Sequence, residues 1–190
     1  MASKIDIISN AFLLIGDQTI NSLDEGSFRA TVASNLYDAI YENELSSHTW
    51  HFCRKLQLLA LTTETSPIDH WRYIFQMPTD LLTLIKFDPQ IDYELYGDKV
   101  YANCNKLTID YYAKVQEEKL PGYFVKLMEY ALAKEFAIAI RENTETASLM
   151  NQQYIGQGQK ARALESKQRI QRPIQDAPFI AARYDSGYHY

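Results

Sequence analysis

The period of the hydrophobic pattern changes twice along this chain, and few architectures accommodate that. Residues 4–46 and 122–169 repeat their apolar positions at helical spacing, whereas 55–116 alternate with a period of two. Helices at both ends that enclose a run of strands predict an α+β fold. We expect a helical bundle of about four helices, an inserted small antiparallel β-sheet and an extended C-terminal tail. The expected boundaries are 1–54 and 117–169 for the bundle, 55–116 for the sheet and 170–190 for the tail.

Local signals support the elements. KIDIISNAFLLI (4–15) follows Ser3, with Asp6 three residues on, close to a capping box, and Gly16 stops it. Ser22-Leu23-Asp24-Glu25 has the S-x-x-E form of a helix start, so a long helix is expected from there to Ser46. Its apolar stripe reads Phe28, Val32, Leu36, Ile40 and Leu45, with Ala33, Tyr37 and Tyr41 beside it. The strand candidates are 55–61, 71–77 and 81–87, a hairpin over 93–103 turning at Gly97-Asp98, and 106–115. In the last of these, Asp110 alternates with Ile109 and Tyr111 and is expected to face solvent. Pro121 suits the first position of a third helix. Asn143 can cap a fourth, with Ala147, Met150, Tyr154, Ala161 and Leu164 on one side.

Composition narrows the function. The chain has 190 residues, suited to one domain, and a net charge of −5. A non-specific nucleic-acid grip needs a basic excess that is missing here. The two cysteines form no disulfide framework, and no apolar run approaches the ~18–20 residues of a bilayer span. The expectation is a soluble chain made in a cytoplasm. Fourteen tyrosines suit interfaces, and they also suit strands. Charge is uneven, with six acids and one arginine in 17–45, and six Lys/Arg against three acids from Lys160 onward.

Several motifs invite chemistry. HTWHFC (48–53) gathers His48, His51 and Cys53, but a zinc site needs a fuller ligand set. Trp50 and Phe52 alternate with the polar residues there and read as aromatic anchors where helix gives way to sheet. GQGQKA (156–161) matches G-x-G-x-x-A but continues a helix instead of following a strand. Asp24/Glu25, Glu42/Glu44 and Glu117/Glu118 read as caps and solvated faces. No catalytic, cofactor or metal residue is assigned. The last twenty residues, QRPIQDAPFIAARYDSGYHY, are aperiodic. Extended, they reach up to ~65 Å, against a globule diameter of roughly 40 Å. They hold aromatics and arginines, an interface composition.

The order LLIG, INSLDEGS, a long helix, then Trp50-x-Phe52 resembles the tail tubular protein A family, the head-to-tail adaptors of short-tailed phages. IFQMPTD (74–80), LTIDYYAKV (107–115) and LPGYFVKLMEYALAKEFA (120–137) continue the resemblance, which spans roughly residues 3–165. Met77 departs from it where leucine is expected. The resemblance implies a non-enzymatic virion protein. It would form a ring of twelve at the head-tail junction, assembled in the host cytoplasm, between the portal protein and the tail nozzle or tube. DNA would pass through the channel without specific binding, and no cofactor or membrane is implied. A C-terminal portal-contact arm would carry Arg172, Phe179, Arg183, Tyr184, Tyr188 and Tyr190. The acidic face around 17–45 would lie toward the channel or tail. A neck or completion protein of a long-tailed phage, or an adaptor with cell-wall lytic activity, are the alternatives.

Overall fold

The computed structural model describes residues 2–168. Among them are helices α1 (Lys4–Leu14), α2 (Phe28–Ser46), α3 (Gly122–Ala139) and α4 (Thr144–Lys167). Between α2 and α3 run β1 (Arg54–Leu58), β2 (Ala60–Leu61), β3 (Tyr73–Gln76), β4 (Leu81–Asp88), β5 (Tyr93–Tyr96), β6 (Lys99–Ala102) and β7 (Thr108–Ala113). The fold is mixed α+β, with four helices and a run of strands between the second and third. No helix among the described residues is long and apolar enough to cross a membrane.

α1 begins as its sequence predicts. Ser3 Oγ accepts from the Asp6 N–H and the Asp6 carboxylate accepts from the Ser3 N–H, a complete capping box. α2 does not begin at Ser22. Gly26 sits at φ +72, which breaks the helix before it can start, and Ser27 is the N-cap, accepting from the Ala30 N–H. The S-x-x-E residues build a turn instead. Ser22 Oγ accepts from the Asp24 N–H, and the Glu25 carboxylate joins the Asn21 N–H to the Ser27 hydroxyl. The buried face of α2 is accordingly rotated from the expected stripe. Ala30, Ala33, Tyr37, Tyr41 and Leu45 are buried, Val32, Leu36 and Ile40 are half-buried, and Phe28 is exposed.

α3 is the centre of the helical core and packs against α1, α2 and α4. Phe12 of α1 stacks on its Phe136 with ring centroids 4.7 Å apart, and Tyr41 of α2 meets its Phe124 edge-on at 6.5 Å. Pro121 stands one position earlier than expected, as the N-cap, with extended backbone. Asn143 caps α4 by accepting from the Thr146 N–H. The buried seam of α4 runs Ala147, Met150, Gly158, Ala161 and Glu165, and Leu164 is exposed. Gly158 lies against Leu127, where an added Cβ would stand 3.8 Å from Cδ1, an ordinary contact.

The strands form two antiparallel sheets, where one was expected. Their orders are β1-β7-β4 and β2-β3-β6-β5. The reason lies at Leu59, which separates β1 from β2 in an otherwise continuous run and donates its N–H to Leu107 O. The first half of that run pairs with β7 and the second with β3. Alternation tells which residues share a face, but not which strands are neighbours. Phe87, Ile109, Tyr111 and Ala113 of one sheet and Phe75, Val100 and Ala102 of the other close a shared core around Leu59 and Met77. The β5–β6 hairpin turns at Gly97, which takes φ +59. Asp110 is buried, not solvent-facing, because the Arg54 guanidinium reaches across from β1 and binds both carboxylate oxygens.

Candidate interaction surface

The segment HTWHFC is where helices and strands are joined. α2 closes with Ser47 Oγ donating to Glu44 O at 2.9 Å, and residues 51–53 form one 3-10 turn leading into β1. Trp50 is buried and its Nε1–H donates to Glu44 O at 2.9 Å. The indole meets Phe124 edge-on at 5.1 Å, and Phe52 meets the same ring at 5.0 Å. Phe52 also contacts Tyr123, at 6.4 Å. The two aromatics thus grip the first turns of α3 from the end of α2.

Two buried glutamates complete the joint. The Glu165 carboxylate of α4 accepts from the His51 backbone N–H and from the Tyr123 hydroxyl. The Glu44 carboxylate of α2 accepts from the Tyr154 hydroxyl at 2.7 Å. Burial holds the Glu44 carboxyl above its ordinary range, and the Tyr154 bond opposes this. Both hydroxyls are pushed far up, first by burial and then by these acceptors. Sequence reading missed both acids as packing residues, yet spacing carries the signal. Positions 30, 33, 37, 41, 44 and 147, 150, 154, 158, 161, 165 are unbroken 3-and-4 seams, and each ends on a glutamate.

Cys53 is buried and its thiol is pushed up to about 12, chiefly by burial, so it carries little thiolate at neutral pH. Among the described residues no three His, Cys, Asp or Glu side chains are grouped to hold a metal ion. GQGQKA lies wholly inside α4 with no strand before it, so the context of a dinucleotide fingerprint is missing.

What the surface does offer is open sheet edge. Among the described residues β1 and β5 each pair on one side only, and every one of their residues is exposed. Leu56 is 71% exposed, Leu58 59% and Leu95 47%. Among the described tyrosines only Tyr93 and Tyr96, both on β5, are exposed; Tyr37, Tyr41, Tyr101 and Tyr111 are buried. The acid excess of 17–45 is largely met within the chain. Asp17 pairs with Arg29, Asp38 with Lys4 and Glu42 with Lys114, and Glu44 is buried.

Arg172, Phe179, Arg183, Tyr184, Tyr188 and Tyr190 lie outside the described residues, beyond the C-cap of α4 at Gln168. No protein-family model matches the sequence, and no curated protein matches it.

Proposed function

We propose that this chain is a structural virion protein, a head-to-tail adaptor. In this reading a ring of twelve copies joins the portal protein to the tail nozzle or tube and continues the DNA channel. The observation that carries it is the ordered series LLIG, INSLDEGS, Trp50-x-Phe52, the QMPTD turn and the α3 sequence. The position of Trp50 and Phe52, at the meeting of α2, α3 and β1, supports it by giving that motif a packing role. The open edges of β1 and β5 supply surface for side-by-side contact, and the −5 charge suits a channel that DNA traverses without sticking. The arm 170–190 would reach the portal. No catalytic step, cofactor or membrane enters the reading.

The test is a titration of the purified chain against the portal ring encoded beside it, with the mass of the complex measured. Saturation at twelve copies is expected. A folded chain that never binds an intact portal overturns the adaptor reading. Removing residues 170–190 should leave a folded protein that no longer binds, and retained binding would take the portal contact away from the arm.

A further inference from the structure

The four sheet edges are not equivalent. β2 is two residues long, and β4 carries register shifts between Leu81 and Thr83 and again between Leu84 and Lys86. Short strands and bulges are the usual ways in which an edge is blunted against pairing. β1 and β5 have neither protection. Their registers against β7 and β6 run without interruption, over five and four residues. Among the described residues each presents a row of backbone donors and acceptors with no strand against it.

The two open edges also differ in sign. β1 opens on Arg54 and Lys55, whereas β5 carries Glu94 and is flanked by Asp92 and Asp98. Arg54 and Lys55 already pair with Asp110 and Asp80, yet their side chains keep 45% and 48% of their exposure and remain available at the edge. Like edges would bring like charges together, whereas unlike edges would not.

We infer that the β1 edge of one copy pairs antiparallel with the β5 edge of a second copy, so that a sheet runs on from subunit to subunit. With Leu56 opposite Leu95, Leu58 falls opposite Tyr93, and these apolar pairs share one face. Lys55 then falls opposite Tyr96 and Gln57 opposite Glu94 on the other face, and Arg54 stands beside Asp98. Cross-strand pairs of this kind are the stabilising unit of a sheet. Because the two edges are different surfaces, a pair of copies keeps one β1 edge and one β5 edge free, and the contact closes a ring or continues as a filament.

The inference rests on the ring reading and deepens it by naming which surfaces meet. It is tested with the full chain carrying Leu56→Cys and Leu95→Cys in a Cys104→Ser background, Cys53 being buried. The protein is oxidised across a concentration series, both free and bound to the portal ring, and its mass is read under non-reducing conditions. A ladder of covalent trimers and higher species, absent from either single-cysteine variant, is expected. Leu56→Lys should keep the folded signal and lose self-association.

Assemblies that form without this cross-link overturn the pairing while leaving the adaptor reading intact. A chain that stays monomeric at every concentration and on the portal overturns it too. Cross-links that appear only after residues 170–190 are removed would assign the edge to the chain's own arm and also overturn it. Failure of the adaptor reading shows separately, as absence of portal binding.

Discussion

The indole Nε1–H of Trp50 donates to the carbonyl oxygen of Glu44, so the residue that leaves α2 folds back to close that helix's last turn. The backbone acceptor is one of the carbonyls that a helix end leaves unsatisfied. The same indole fills the space above Phe124. One side chain therefore caps α2, covers α3 and fixes the direction in which the chain enters β1.

Replacing Trp50 by alanine removes both the bond to Glu44 O and the contact with Phe124. The expected loss is about 3–5 kcal/mol of unfolding free energy, in the range of large aromatic truncations in cores. Trp50→Phe keeps most of the apolar filling and loses the bond to Glu44 O, with a smaller loss of which about 1 kcal/mol belongs to the hydrogen bond. Urea unfolding of the two variants measures both. A Trp50→Phe variant as stable as the parent would show that the indole N–H has no part in holding the joint.

Glu44 gives the fold a pH dependence of defined sign. Burial raises its pKa in the folded state above the ordinary 4.5, so the folded chain holds that proton more tightly than the unfolded chain. Its contribution to stability is present below 4.5 and is lost as pH rises through the folded-state value. Asp17 and Asp110 act oppositely. Arg29 and Arg54 hold their carboxyls below 3.8, so their contribution is lost as pH falls through that lower range. Glu44→Gln keeps a carbonyl for the Tyr154 hydroxyl and cannot ionise. Its stability should fall less than the parent's as pH rises from 4.5, a difference read from denaturation midpoints across pH. Parallel curves would contradict the assignment.

The start of α2 can be tested at two serines. Ser27→Ala should lower stability by about 1 kcal/mol, the usual loss at a helix N-cap. Ser22→Ala, five residues earlier in a turn, should stay within roughly 0.5 kcal/mol. Thermal melting of both separates a helix that begins at Phe28 from one that begins at Leu23. A larger loss at Ser22 would favour the earlier start.

Residues with sequence-local partners were legible. The Ser3–Asp6 capping box, the Asn143 cap and the turn at Gly97 depend on atoms within a few positions of one another. Residues whose partners are distant were not. Asp110 alternates like a solvent-facing residue, and its carboxylate is held by Arg54, which is paired across from Tyr112 on the neighbouring strand. Glu165 lies in a polar helix, and its acceptor role depends on His51 and Tyr123. Ser22 shows the reverse error, a correct local motif whose use was decided by one glycine. The division of the strands between two sheets depended on where a continuous run changes partner at Leu59. The candidate edges follow from that pairing and so became visible only with it.

The run of strands leaves and rejoins the helices through neighbouring positions, since Arg54 at the start of β1 is directly paired with Tyr112 near the end of β7. Tyr41 fastens the returning chain by donating its hydroxyl to Val115 O. To the helices the intervening strands are therefore one closed loop whose ends already meet. Closure entropy grows only with the logarithm of loop length. The bundle would accept a longer or shorter insertion at this point with little change in its own stability, so the strands can diverge in size and surface while Trp50 and α3 keep the same seat.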